Sequence, residues 1–138
     1  LMLPDDFTDI LITHKARELE AVKHSNCVLF EDTDCLTTLF YIGFLEGREK
    51  EKNADLAHAI AQLNAYDLIL FLEPTVEFVQ DGTRNERIAA DREKYSRQIK
   101  ELFEQKGLSY VSLAGDYLER FNRAKLLIKE KLGLDTRW

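Results

Sequence analysis

Two carboxylates, Asp32 and Asp34, stand out as residues equipped for chemistry, in the run Glu31-Asp32-Thr33-Asp34. They follow directly on the apolar stretch Cys27-Val28-Leu29-Phe30. A carboxylate pair at the end of a buried strand can hold Mg²⁺, directly or through water, as a Walker-B aspartate does in phosphoryl transfer. The alternative is structural: Asp34 or Thr33 accepts from the free N–H groups that open the next helix. Thr37 and Thr38 lie one turn further on, placed either to donate to a substrate hydroxyl or to bond back to their own helix.

A second group lies between Pro74 and Arg92. It holds Phe78, Gly82, Arg84, Arg87 and Arg92 without a clear hydrophobic period. Guanidinium groups match phosphate oxygens two at a time and stay charged, so a mobile segment with Arg84 and Arg87 suits a lid over phosphates. Phe78 on the same segment can stack on a substrate ring. The alternative is an Arg-rich helix start paired with Glu86 and Asp91, with Phe78 in the core. A third group is Gly115-Asp116-Tyr117 with Arg120 behind it. It reads as a loop able to carry an adenine against its backbone, or simply as a helix start capped by Asp116. His14, beside Thr13, either faces the site or is a surface or satisfied core histidine; His24 and His58 carry no pattern.

The elements that must position these residues alternate between helix and strand. Phe7, Ile10, Leu11, Leu19 and Val22 recur at helical steps and predict a helix over Phe7 to His24. Cys27 to Phe30 is apolar on both faces, as a buried parallel strand is. A helix is expected over roughly Leu36 to Glu49. A solvated stretch Glu49 to Lys52 follows, then a helix capped by Asn53 and running to about Ala65. Asp67 to Glu73 reads as a second buried strand closed by Pro74. Tyr95, Ile99, Leu102 and Phe103 mark a helix ending near Gly107, and Tyr110 to Leu113 a third strand. The last helix opens at Gly115-Asp116-Tyr117 and shows Leu118, Phe121, Ala124, Leu127, Ile128 and Leu132 on one face. Strands separated by helices imply an α/β fold with a parallel sheet. In such sheets the ligand lies beyond the carboxyl ends of the strands, and all three groups fall there.

The 138 residues, with 19 Lys plus Arg against 25 Asp plus Glu, carry a net charge of −6. That length fits a single domain, 1–138, and 45% hydrophobic residues exclude wholesale disorder. No apolar run is long enough for a membrane span, and no basic tract with an apolar follow-on reads as a signal peptide. The acidic balance argues against direct nucleic-acid binding by this segment. Cys27 and Cys35 make no disulfide scaffold, and no Cys/His spacing indicates a zinc site, so a reducing cytoplasm is the expected location. No G-x-x-x-x-G-K-[ST] and no G-x-G-x-x-G occurs in the sequence.

Taken together, three stretches resemble the ribosylnicotinamide kinase domain of bacterial NadR-type NAD-biosynthesis proteins. They are Asp32-Thr33-Asp34 with Thr37-Thr38; Tyr66-Asp67-Leu68 to Glu73-Pro74 with Asp81-Gly82-Thr83-Arg84; and Gly107-Leu108-Ser109-Tyr110-Val111 with Gly115-Asp116-Tyr117-Leu118-Glu119-Arg120-Phe121. The likeness runs from about Phe7 to Gly133. It implies a three-layer P-loop kinase fold, a parallel sheet with flanking helices, of which this chain is the C-terminal portion. It implies ATP and Mg²⁺ as cofactors, and phosphorylation of the 5′-hydroxyl of nicotinamide riboside. By the same resemblance Asp32 is the magnesium residue, with Asp34 against the riboside and a candidate base. Thr37, Phe78 and Asp81 lie on the substrate, Arg84 and Arg87 on the phosphates, and Gly115, Asp116 and Tyr117 border the adenine. The family's P-loop and first strands have no counterpart here. The expectation is that the rest of a longer chain supplies them, since unpaired buried strand edges cost about 1–3 kcal/mol per unsatisfied group. The isolated 138 residues are therefore expected to be inactive. A non-catalytic nucleotide sensor within an NAD-responsive regulator, or a P-loop kinase for another nucleoside or nucleotide, are the alternatives.

Overall fold

Helix α1, Pro4–His24, begins where the sequence equips it to begin: Pro4 at its first position, Asp5 and Asp6 in its first turn, and Lys23 and His24 in its last. The Leu3 N–H donates to Asp6 Oδ2 at 2.7 Å, satisfying one of the free amides. These details come from a computed structural model that describes residues 3–74 and 91–136. The chain divides into two compact units, 1–64 and 65–138.

The first unit is helical. α1 packs against α2, Cys35–Ile42, and α3, Gly47–Ala61. Its core holds Phe7 and Leu11 of α1, Leu36, Leu39, Phe40 and Ile42 of α2, and Ala57 and Ile60 of α3. Of the expected α1 face only Phe7 and Leu11 are buried; Ile10, Leu19 and Val22 are exposed. The helix expected over Leu36 to Glu49 is two helices. α2 stops at Gly43, whose N–H reaches Leu39 and Phe40 carbonyls, and the next amides close three-residue turns. Gly47 then takes φ +66°, a backbone that side chains disfavour, and opens α3. The Glu49 to Lys52 run is exposed as expected, but it is the first turn of α3 rather than a linker.

Asn53 does not cap a helix. It sits inside α3 at 1% exposure. Its Oδ1 accepts from Thr8 Oγ1 at 2.6 Å, and its Nδ2 donates to the Pro4 and Glu49 carbonyls at 3.3 and 2.9 Å. A buried amide with all these partners ties α1 to α3, which explains an Asn where a cap seemed the reason.

The expected strand Cys27 to Phe30 is another difference. The segment forms no strand among the described residues, and Phe30 is 61% exposed. Apolar faces alone do not make a strand; a neighbouring backbone must take up its N–H and C=O groups.

The second unit is a β–α–β arrangement followed by a helix. β1, Leu70–Leu72, and β2, Val111–Leu113, are parallel in the register Leu70↔Val111, Phe71↔Ser112 and Leu72↔Leu113. Flanking bonds from Val111 N to Ile69 O and from Glu73 N to Leu113 O, both 2.9 Å, extend the pairing. Both strands are shorter than expected. α4, Arg92–Gln105, buries Tyr95 and Phe103. The rings of Phe71 and Phe103 lie 5.8 and 6.1 Å from that of Tyr110. α5, Tyr117–Leu132, buries Leu127 and Ile128 and ends at Gly133 with φ +70°. Leu118 and Phe121, expected on its buried face, are exposed. The architecture is thus mixed α/β with a two-stranded parallel sheet among the described residues. No helix there is long and apolar enough to cross a membrane.

Candidate functional site

In the first unit the chemistry gathers on the turn before α2. Asp34 is its N-cap: Oδ1 accepts from the Thr37 N–H at 3.1 Å and from Thr37 Oγ1 at 3.3 Å. Thr38 Oγ1 donates to the Asp34 carbonyl at 3.4 Å. The capping alternative therefore holds for Asp34, and both threonines bond back to it. Thr33 is forced to φ +65°, a sparsely populated conformation for a β-branched residue. Asp32 is exposed, and no hydrogen bond or ion pair engages its carboxylate among the described residues.

Capping does not use all of Asp34. The residue is 9% exposed, and Oδ2 is buried without a hydrogen-bond partner. Burial pushes its pKa up; the Thr37 and Leu36 amides, the Thr37 hydroxyl and the charge of His14 oppose this without reversing it.

Two glutamates that sequence reasoning passed over stand close by. Glu31 Oε1 is buried with no partner. Its pKa is raised to about 7, by burial first and then by the Glu18 carboxyl, with Lys15 opposing and Asp34 adding. Ligand atoms of His14, Glu18 and Glu31 all lie within 4.8 Å of one another. Lys15 Nζ bridges Glu18 Oε1 and Asn64 Oδ1, each at 3.0 Å. Asn64 in turn donates to Cys35 Sγ at 3.3 Å. Burial pushes the Cys35 thiol up to about 11, so it is not a nucleophile at neutral pH. The spacing His14-x-x-x-Glu18 puts both side chains on one helix face and was legible. Nothing in the sequence joined them to Glu31.

In the second unit the carboxyl ends of β1 and β2 lie side by side, so Glu73 and the Gly115-Asp116-Tyr117 turn share one edge of the sheet. Glu73 pairs with Lys100; burial works against ionisation, but Lys100 and Ser112 hold the carboxyl below its ordinary range. Arg120 Nη1 donates to the Glu73 carbonyl at 3.4 Å, and its guanidinium lies 5.1 Å from the centre of the Tyr117 ring. Asp116 forms a capping box: Oδ1 accepts from the Glu119 N–H at 2.8 Å, and Glu119 Oε2 accepts from the Asp116 N–H at 2.9 Å. Gly115 takes φ +95°, a backbone that side chains disfavour, and a Cβ there would also displace the Glu119 carboxylate. Tyr117 is 72% exposed.

The structure thus brings together Asp32, Asp34 and Thr37 on one turn, and Gly115, Asp116 and Tyr117 on one sheet edge. Phe78, Asp81, Arg84 and Arg87 lie outside the described residues. A family model described as "AAA domain" matches residues 2–120, which include both turns. The chain belongs to the AAA domain family.

This AAA domain is also similar to two curated proteins, each named "Trifunctional NAD biosynthesis/regulator protein NadR", from Salmonella typhimurium strain LT2 and Escherichia coli strain K12. Each is 31% identical over 129 residues, covering 93% of this chain and 30% of the relative. The AAA domain described here is therefore NadR-like over nearly its whole length, while spanning under a third of those relatives.

Proposed function

We propose that this NadR-like AAA domain takes part in ATP-dependent phosphorylation of nicotinamide riboside, yielding nicotinamide mononucleotide. The observation that supports the reading best is the Asp32 carboxylate, exposed and unengaged among the described residues, on a turn that the Asp34 cap fixes. A free oxygen donor of this kind fits Mg²⁺, which prefers carboxylate oxygen and keeps several waters. When bound there, the ion would neutralise charge on the transferring phosphoryl group.

The chain's own residues do the positioning. Asp34 holds the turn that follows Asp32 through Oδ1. Thr37 flanks the same turn and is placed for a riboside hydroxyl. Tyr117, exposed beside Gly115, offers a flat face for adenine. Phe78 is assigned to the nicotinamide ring, Asp81 to the substrate, and Arg84 and Arg87 to the phosphates. A phosphate-cradling loop and the remaining strands of a three-layer P-loop sheet are assigned to residues outside these 138. Catalysis on this reading is orientation and electrostatics.

The test is a phosphorylation assay on the full-length protein with ATP, Mg²⁺ and nicotinamide riboside. Turnover to the mononucleotide is expected, with Asp32→Ala lowering kcat by about 10²-fold or more, the scale of losing one transition-state charge contact. Nucleotide binding without turnover would replace this reading with that of a sensor. Turnover of another nucleoside in preference would retain the kinase and reject the substrate.

A further inference from the structure

His14 and Glu18 lie four residues apart on α1, and Glu31 approaches them from the segment that follows the helix. The three residues offer one imidazole nitrogen and two carboxylates, all half-buried, with ligand atoms no more than 4.8 Å apart. A zinc-type ion binds nitrogen and oxygen at about 2.0–2.2 Å, so tetrahedral ligand atoms lie roughly 3.4 Å apart. Closing by up to about 1.4 Å is within side-chain rotation on a helix face.

A second observation points to a missing ligand. Asp34, 9% exposed, keeps Oδ2 buried and without a hydrogen-bond partner. Its charge acts on Glu31, and the charge of His14 acts on it, so Asp34 belongs to the same neighbourhood. The cap uses Oδ1 only. Glu31 Oε1 is likewise buried and unpartnered. Three carboxylates here face one ammonium, Lys15, which is held by Glu18 and Asn64.

We propose that His14, Glu18 and Glu31 bind one divalent cation of the zinc type, seated beside Asp34. The nitrogen donor separates this site from the all-oxygen magnesium role assigned to Asp32: imidazole favours a borderline ion, and Mg²⁺ favours oxygen. Lys15 weakens the site by its charge and so sets its affinity.

The experiment is calorimetric titration of the whole protein with ZnCl₂ in excess MgCl₂. A Cys27→Ser background removes the exposed thiol as a competing ligand. One Zn²⁺ per chain is expected. Glu18→Gln and Glu31→Gln, which keep shape and remove charge, and His14→Gln should each weaken binding by about tenfold or more. Lys15→Met should strengthen it several-fold. Circular dichroism of each variant checks that the fold is kept; if His14→Gln unfolds, the two glutamine variants decide. Absence of saturable Zn²⁺ binding overturns the proposal. So does binding unchanged in the glutamine variants, or displacement by Mg²⁺. None of these outcomes bears on riboside phosphorylation, which the assay above tests separately.

Discussion

Asp34 heads α2 in the sequence Asp34-Cys35-Leu36-Thr37, and Asp116 heads α5 in Asp116-Tyr117-Leu118-Glu119. In both, the carboxylate accepts from the N–H of the third helical residue, at 3.1 and 2.8 Å. There the likeness ends. Asp116 lies in an exposed turn where Glu119 reaches back to its amide, so both bonds of a capping box are closed. Asp34 is buried, has no such reciprocal bond to its own amide, and holds one oxygen without a partner. Helix initiation accounts for Asp116 in full. It accounts for half of Asp34, and the other half is where function can be sought.

The largest way to sharpen the comparison is one residue further on. Leu36 and Leu118 occupy the second position of their helices, at 1% and 67% exposure. Leu36→Ala removes a side chain from the core of the first unit and should cost about 2–5 kcal/mol. Leu118→Ala should stay within about 0.5 kcal/mol. Denaturant unfolding of both variants measures this. A large loss at Leu118 would mean that its exposed face is covered in solution.

Next in size is the pair Asp34→Asn and Asp116→Asn. Asparagine caps a helix about as well as aspartate, so neither variant loses its cap. At position 34 the change also removes a buried charge. The native Asp34 pKa is raised above 3.8, so the native state binds more protons than the unfolded one, and stability falls as pH climbs through that window. Asp34→Asn should therefore stabilise the protein at neutral pH, and by less in acid. Asp116→Asn should change little at any pH. Equal effects in thermal melts would reduce Asp34 to a cap.

How much of this was legible follows from the same two turns. The strand–helix–strand–helix order of the second unit, the caps at Asp34 and Asp116, and the shared edge of β1 and β2 are local or nearest-neighbour facts, and periodicity and turn chemistry carry them. Asn53 was misread because its partners, Thr8 and Pro4, are far away in sequence. The strand expected over Cys27 to Phe30 failed because pairing depends on a neighbour that composition does not reveal. Glu18 and Glu31 went unnoticed for the related reason that their meeting is tertiary. Phe78, Asp81, Arg84 and Arg87 lie outside the described residues, so their roles rest on the sequence alone.

Glu31 extends the contrast with a smaller effect. Its pKa of about 7 against an ordinary 4.5 means that stability from this group is present below about pH 4.5 and lost by pH 7. Glu31→Gln should flatten that part of the pH–stability profile. Because the side chain is half exposed, solvent screening limits the gain to less than about 1 kcal/mol. An unchanged profile would remove the like-charge contact with Glu18.

Thr37→Val should have the smallest structural effect and the most pointed functional one. The Thr37 hydroxyl bond to Asp34 Oδ1 is long, 3.3 Å, and the stronger cap bond from the Thr37 N–H at 3.1 Å survives the change. Loss of the hydroxyl should cost only a few tenths of a kcal/mol, below the ordinary worth of a hydrogen bond. If the turn receives a riboside, the same loss removes a polar contact to it. KM for the nucleoside should then rise several-fold while KM for ATP stays put. Position 119, the third of α5, has no counterpart to this split: Glu119→Gln keeps an acceptor for the Asp116 amide and should move neither stability nor KM. A parallel rise in both KM values for Thr37→Val would show that the hydroxyl serves only to hold α2 in place.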